Sequence, residues 1–259
     1  MSRRTLPRVV PMAVAAVLLG IGSAVAADSD ARAIVEQSQK LSDSRSQRYE
    51  GILQVVDGGK SSEKRWSFAR IGSHGQSKVV IRFSAPADVK GVALLIVNHA
   101  DKSSDQWMWT PALERDRRIA LQDRSTRFFG TDFSFEDLEE RDVDQYDYTL
   151  LGEDAAAAGP AWKIQAVARQ SKSSQYTRSI LWILKDHYTL AQVDSYVKGD
   201  VVRRLVYSDI KPIQGFWTAH EMEMTDLRRH SVTKLSLRKV EYNVPLKDDN
   251  FSVQGLRRQ

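Results

Sequence analysis

Residues 91–98 read GVALLIVN, and the two alternating sets of side chains in this run are both aliphatic. Successive side chains of a β-strand point to opposite faces of the sheet, so each set defines one face. The sets are Val92, Leu94 and Ile96 on one face, and Ala93, Leu95 and Val97 on the other. A strand of an ordinary antiparallel sheet keeps one face in water and alternates apolar with polar residues. Both faces of this strand are therefore predicted to be covered.

The run at residues 179–185, SILWILK, repeats this pattern later in the chain. Its two apolar sets are Ile180, Trp182 and Leu184 on one face, and Leu181 and Ile183 on the other. An N-terminal helix is the predicted cover, because residues 31–41 carry one apolar stripe and Asp28 and Asp30 can cap its start. The pattern is compatible with two arrangements, a simple closed core or a curved sheet with a lipid-sized pocket.

Most of the remaining chain is predicted to be strand. Short β-rich runs separated by turn residues are typical of a meandering antiparallel sheet or barrel. The predicted strands are residues 49–56, 63–71, 77–84, 91–98, 106–110, 117–121, 146–151, 162–168, 179–185, 190–197, 202–209, 217–226 and 231–242. Residues 132–140 predict a short helix on a long excursion, and residues 152–160 predict a loop or a brief helical turn.

The first 26 residues have the features of a secretory signal peptide. Three early arginines precede an apolar stretch, and Ala24-Val25-Ala26 predicts cleavage before Ala27. The alternative is an uncleaved anchor, because residues 9–27 are just long enough to cross a bilayer. Cleavage leaves one domain, residues 27–259, and removes three of the 38 basic residues but none of the 33 acidic ones. The mature chain is then expected to be an exported, nearly neutral protein.

The sequence offers few residues for catalysis or metal binding. It has no cysteine, which excludes disulfides, thiol catalysis, cysteine-bound zinc and a lipoprotein anchor. Its five histidines show no metal-ligand spacing, and no G-x-S-x-G nucleophile motif occurs. Near neutrality of the mature chain also argues against nucleic acid as a partner. We therefore predict no catalytic residue, no metal and no cofactor.

Five separated motifs between residues 83 and 138 carry a family resemblance. They are Phe83-Ser84-Ala85-Pro86, Lys90-Gly91-Val92-Ala93-Leu94-Leu95, Trp107-Met108-Trp109-Thr110-Pro111, Arg117-Arg118-Ile119 and the run from Phe129 to Leu138, FGTDFSFEDL. In this order they closely resemble the outer-membrane lipoprotein-sorting protein family, relatives of the periplasmic lipoprotein carriers LolA and LolB.

The resemblance implies a LolA-like fold, mainly β with helices (α+β). This fold is a strongly curved antiparallel half-barrel covered by an N-terminal helix and a short mid-chain helix. The resemblance further implies a cavity for acyl chains, and a periplasmic carrier that moves lipid or lipoprotein between inner and outer membrane. It also implies transient membrane contact and an inner-membrane exporter of the RND type as a partner. Without a cysteine, the chain is similar to the soluble carrier LolA rather than to the lipid-anchored acceptor LolB.

Two other functions remain open on the same fold. One is an envelope sensor or adaptor that binds a protein partner. The other is a lipid hydrolase, which would require a serine or aspartate with a histidine partner at the cavity mouth.

The predicted cavity wall follows from the doubly apolar strands and the motifs. The predicted lipid-binding residues are Val92, Leu94, Ile96, Trp107, Trp109, Ile180, Trp182 and Leu184, with Phe133, Phe135 and Leu138 on the mid-chain segment. Which face of each doubly apolar strand looks inward is left open. Arg118 and Asp132 are predicted to order the mid-chain segment through an ion pair or a helix cap, with direct cargo contact as the alternative.

Overall fold

One open antiparallel sheet dominates the computed structural model, which describes residues 21–258 and, from Asp30 onward, their side chains. Within that range there are thirteen strands and one α-helix. The helix is α1, Ile21–Ser42. The strands are β1 Ser46–Asp57, β2 Lys60–Ile71, β3 Lys78–Ala85, β4 Ala93–Val97, β5 Asp105–Thr110, β6 Arg115–Arg118, β7 Tyr146–Ala156, β8 Gly159–Ala168, β9 Arg178–Leu184, β10 Leu190–Val197, β11 Asp200–Ile213, β12 Phe216–Asp226 and β13 Ser231–Tyr242.

The strand order makes the sheet two meanders joined at one seam. Strands β1 to β6 are sequential neighbours, strands β7 to β13 are sequential neighbours, and β1 pairs with β13 along the seam. The free edges are β6 and β7, so the curved sheet does not close. The predicted mainly β, antiparallel half-barrel is confirmed, and each predicted strand has its counterpart.

Three local predictions differ from the structure. Residues 152–160 form the ends of β7 and β8, where Ala156 pairs with Gly159 across a tight turn. The predicted mid-chain helix is reduced to a single 3-10 turn, Glu136–Leu138. Asp28 and Asp30 lie inside α1 and do not cap its start. Most of the predicted signal peptide, residues 1–20, lies outside the described residues.

The two faces of β4 are covered by different parts of the chain. On the concave side, Leu94 and Ile96 pack against aromatic residues of the mid-chain segment, defined here as residues 119–145 between β6 and β7. On the convex side, Leu95 packs with Phe251 and Leu256 of the C-terminal segment, residues 243–258. The predicted cover for this strand, helix α1, therefore lies elsewhere.

Helix α1 covers the concave face of the other meander. Ala31 and Val35 are buried in one cluster with Tyr146 of β7 and with Leu181 and Ile183 of β9. This helix and the mid-chain segment thus cover separate parts of the concave face. The space between them is not filled by side chains.

Candidate functional site

A cavity of about 460 Å³ lies on the concave face between α1 and the mid-chain segment. Small-molecule sites in proteins commonly have volumes of about 300–1,000 Å³. The volume is therefore sufficient for part of a lipid but not for a folded protein partner.

The far wall of the cavity is aliphatic. Its residues come from consecutive strands of one meander: Leu181, Ile183, Val193, Leu205, Met222, Met224 and Leu237. They face inward because side chains alternate along each strand, and the opposite residues of β12, Glu221 and Glu223, point to the convex side. This wall can remove an acyl chain from water.

The opposite wall, formed by residues 136–141, is strongly polar and internally paired. Glu139 lies between two buried cations, with Arg124 at 2.8 Å and Lys172 at 2.9 Å from its carboxylate oxygens. Asp137 accepts hydrogen bonds from Arg203 at 2.7 Å and from the hydroxyl of Tyr176 at 2.8 Å. These pairs connect the mid-chain segment to β11 and to the loop before β9. They fix the polar wall relative to the aliphatic one.

Glu136 has no cationic partner among the described residues. Its carboxylate accepts hydrogen bonds from the Ser174 hydroxyl and, at 2.9 Å, from the backbone N–H of Gln175. Burial raises the pKa of Glu136 above its ordinary value, and the neighbouring charges of Asp137 and Glu139 add to the increase. The group therefore favours its protonated, neutral form more than an exposed glutamate does.

Ser42 and His74 form a polar contact on the cavity wall. The Ser42 hydroxyl lies 3.2 Å from Nε2 of His74 and 3.0 Å from the carbonyl oxygens of Ser38 and Gln39. The other ring nitrogen of His74 is buried without a hydrogen-bond partner in the described part of the chain. The pair consequently lacks the third group that orients the base in serine–histidine hydrolases.

Two large apolar side chains remain partly in water at the cavity. Leu41 at the end of α1 is 46% exposed, and Trp217 at the start of β12 is 44% exposed, although both line the cavity. The ring of His187 stacks on that of Trp217 with centroids 4.1 Å apart. These residues mark the open mouth of the cavity.

The eleven predicted lipid-binding residues lie in packed clusters beside the cavity rather than on its wall. On the concave side, Val92, Leu94, Ile96, Phe133 and Phe135 form one buried cluster, with Leu138 packed against it. On the convex side, Ile180, Trp182 and Leu184 form a second cluster, and Trp107 and Trp109 pack against a third beneath the C-terminal segment.

The reason for this placement differs between the two doubly apolar strands. On β9 the inward set is Leu181 and Ile183, the opposite face from the one predicted to bind lipid. On β4 the predicted face is inward, but aromatic residues of the mid-chain segment, such as Phe128, fill the space above it. The placement of these residues on the cavity wall is thereby corrected, and lipid contact by them stays a prediction.

The two predicted ordering residues do not act together. Arg118 on β6 is paired with Asp105 of the neighbouring strand and lies 5.9 Å from the ring of Trp107. Asp132 is fully buried and accepts hydrogen bonds from Arg127 at 2.9 Å and Thr233 at 2.7 Å. It caps no helix, because the 3-10 turn begins after Phe135. Instead it attaches the mid-chain segment to β13.

Sequence reasoning did not select the tyrosines and charged residues of the cavity. Tyr146 and Tyr148 alternate within a predicted strand and share one face, and this spacing is the signal from which they could have been found. Lys172 and Arg203 had no such signal, because their carboxylate partners lie 33 and 66 residues away in the chain.

Neither a metal centre nor a membrane span is found in the described part of the chain. Within residues 21–258, no group of three or more His, Cys, Asp or Glu side chains has an arrangement that could hold a metal ion. Over the same range, no helix combines the length and the hydrophobicity that crossing a bilayer requires.

Comparison with known proteins agrees with this geometry. A family model described as an uncharacterized protein matches residues 75–258. The crystal structure of an outer membrane lipoprotein-sorting protein domain from Vibrio parahaemolyticus is 23% identical, with a TM-score of 0.85 over 89% of this chain and 100% of that chain. A DUF1329 family protein from Desulfovibrio piger is 26% identical, with a TM-score of 0.84 over 89% of this chain and 99% of that one.

A LolA superfamily protein from Nitrosomonas europaea is more distant, at 16% identity and a TM-score of 0.67 over 87% of this chain and 98% of that chain. A comparison with curated proteins finds no significant match. The chain therefore belongs to the family of uncharacterized proteins whose model matches residues 75–258, and it has the LolA-like fold of these solved structures.

Proposed function

We propose that the protein is a periplasmic carrier that holds acyl chains of lipids or lipoproteins in the cavity and moves them between inner and outer membrane. The observation that supports this most is the cavity itself, which no side chain fills. Leu181, Ile183 and Met222 belong to its aliphatic wall. The fold that the chain shares with a lipoprotein-sorting protein domain from Vibrio parahaemolyticus supports a lipidic cargo.

The energetics of transfer follow from the apolar wall. Each methylene group that leaves water contributes about 0.8 kcal/mol, so even partial burial of one chain dominates the affinity. Release then requires that the mouth at Leu41 and Trp217 widens, or that an acceptor offers a competing apolar site. A carrier is expected to meet membranes or membrane proteins transiently, and an exporter of the RND type is the proposed inner-membrane partner.

The proposed location rests on the N-terminal sequence. Removal of residues 1–26 by signal peptidase would release a mature protein that starts at Ala27 and has no cysteine for lipid attachment. N-terminal sequencing of the protein recovered from a periplasmic extract is expected to begin at Ala27.

Native mass spectrometry tests the carrier function. Protein expressed from the full chain and purified in contact with membranes is expected to carry bound lipid, and delipidated protein is expected to take up a fluorescent fatty acid. A ligand-free mass together with no uptake would contradict the proposal. Capture of a protein partner by lipid-free protein would instead favour the sensor or adaptor function.

A further inference from the structure

Arg141 is a cation on the cavity wall that lacks an ionic partner. Among the described residues no carboxylate oxygen lies within 4.0 Å of its guanidinium nitrogens. Its side chain makes one hydrogen bond, to the Ser179 hydroxyl at 3.5 Å, and its guanidinium lies 5.7 Å from the ring centre of Tyr146. A guanidinium carries five N–H donors, so most of the donors of Arg141 are unused.

The acidic residues of the cavity do not provide the missing partner. Glu139 is paired with Arg124 and Lys172, and Asp137 with Arg203. Glu140 lies 3.4 Å from Arg70, and Glu136 is held by the Ser174 hydroxyl and a backbone N–H. Every carboxylate on this wall therefore has its own hydrogen-bond donors, and none of them forms an ion pair with Arg141.

Three tyrosines around Arg141 add further donors. Tyr146, Tyr148 and Tyr207 line the cavity, and within residues 30–258 their hydroxyls have no hydrogen-bond partner. Burial raises the pKa of Tyr207 to about 12, so this hydroxyl keeps its proton and can donate. Tyr146 and Tyr148 are close neighbours, with ring centres 6.2 Å apart. Together with Arg141 they form a group of donors without an acceptor, which we name the Arg141 cluster.

A side chain of α1 holds the backbone at Arg141 in place. The side-chain amide of Gln39 on α1 donates to the carbonyl oxygen of Arg141 at 2.5 Å, and its oxygen accepts from the N–H of Val143 at 3.3 Å. The helix that covers the cavity thus fixes the segment that carries Arg141. When a cation is already held in position, little further conformational entropy is lost as it binds its ligand.

We infer that the Arg141 cluster binds an acidic oxyanion headgroup, carboxylate or phosphate, whose alkyl chain lies along the aliphatic wall. The inference deepens the proposed carrier function, on which it rests, and names its cargo as anionic amphiphiles. Arginine suits this role because its planar fork matches the two oxygens of a carboxylate or phosphate. In a site shielded from water, such a charged hydrogen bond is stronger than at the surface.

Displacement of an uncharged fluorescent probe, N-phenyl-1-naphthylamine, from the full chain tests the inference. Measured at about pH 8, where carboxylates are ionised, oleate and dodecyl phosphate are expected to displace the probe at lower concentration than methyl oleate. Arg141→Gln is expected to weaken displacement by both anions at least about tenfold and to leave methyl oleate unchanged. Arg141→Lys should restore part of the loss.

Arg117→Gln is the matched control, because Arg117 is an exposed arginine on β6 and is not among the cavity-lining residues. Unchanged anion displacement in Arg141→Gln would overturn the inference while leaving the carrier function in place. Inorganic phosphate that binds, by calorimetry, as tightly as dodecyl phosphate would also overturn it, because the site would then recognise a free ion. If neither the probe nor any amphiphile binds, the carrier function itself fails.

Discussion

Asp132 is a buried charge that joins the mid-chain segment to the sheet. Its carboxylate accepts hydrogen bonds from Arg127 at 2.9 Å, from Ser231 at 2.5 Å and from Thr233 at 2.7 Å. Asp132→Ala leaves these donors without their acceptor, and we expect the free energy of unfolding to fall by about 2–4 kcal/mol. Urea denaturation followed by circular dichroism measures this change.

The exposed Asp101 provides the control for this substitution. Asp101→Ala is expected to change the free energy of unfolding by less than about 0.5 kcal/mol. Equal effects of the two substitutions would show that the mid-chain segment does not depend on the buried carboxylate.

The raised pKa of Glu136 predicts that the difference in stability between Glu136→Gln and wild type depends on pH. Because burial raises the pKa of its carboxyl in the folded protein, the folded state favours the protonated form. The favourable contribution of Glu136 to the free energy of unfolding is complete below the ordinary glutamate pKa. It is lost as the pH rises through the pKa of Glu136 in the folded state. Glu136→Gln, which stays neutral, is therefore expected to stabilise the protein relative to wild type at neutral pH and not in acid.

Thermal unfolding of both proteins at a series of pH values measures this difference. Only the difference between variant and wild type is informative, since other acidic groups titrate in both. A constant difference across the range would contradict the raised pKa of Glu136.

At this scale the sequence predicts that Asp132 orders the mid-chain segment, but it does not indicate the partners of its carboxylate. Ser231 and Thr233 lie 99 and 101 residues further along the chain, and nothing local indicates that β13 runs beneath the mid-chain segment. Arg118 was predicted to act with Asp132, yet its nearest acidic neighbour is Asp105 on the adjacent strand. Contacts between residues that are distant in the chain depend on the topology of the sheet, and single motifs do not encode that topology.

The side chains of β12 point alternately into the cavity and to the convex surface. Met222 lines the cavity, whereas Glu223 on the opposite face lies 3.1 Å from Lys234 of β13. Met222→Trp is expected to fill part of the cavity and to weaken fatty-acid uptake about tenfold or more. Glu223→Trp is the control on the same strand and is expected to leave uptake unchanged. Equal loss in both variants would contradict the assignment of the inner face.

The C-terminal segment is predicted to stabilise the fold without contacting the cavity. Leu256 is fully buried against Leu95 on the convex face. Leu256→Ala is expected to lower the free energy of unfolding by about 2–5 kcal/mol, because it leaves a void in a packed cluster. Lipid affinity of the folded variant should equal that of wild type. A weaker affinity would show that the two faces of the sheet are coupled.

Strand periodicity therefore predicted where the elements lie, but not which face each of them turns inward. The doubly apolar runs of β4 and β9 look alike in sequence, yet one has its outer face under residues 243–258 and the other packs with Tyr196 and Ile210. Which face lines the cavity depends on the segments that cover the sheet. Those segments are distant in sequence, so alternation alone cannot choose between them.

At the scale of the whole molecule, the cavity is the space that two covers leave open. The mid-chain segment fills the concave face near β4, and α1 fills it near β7 and β9. The sheet order follows from local hairpins, which is why a meander was predictable from turn residues. The family resemblance implied a curved half-barrel with a cavity, but the seam between β1 and β13 and the size of the cavity are global properties that neither the resemblance nor the local pattern predicted.

Photo-crosslinking with a fatty acid that carries a diazirine in its alkyl chain tests the central claim most directly. Peptides from the delipidated, reloaded protein are expected to carry the label at the aliphatic wall, on Leu181, Ile183, Met222 and their neighbours in β9 to β13. An excess of unlabelled fatty acid should remove the label. Label that is confined to the convex face, or that persists under competition, would contradict an acyl chain in this cavity.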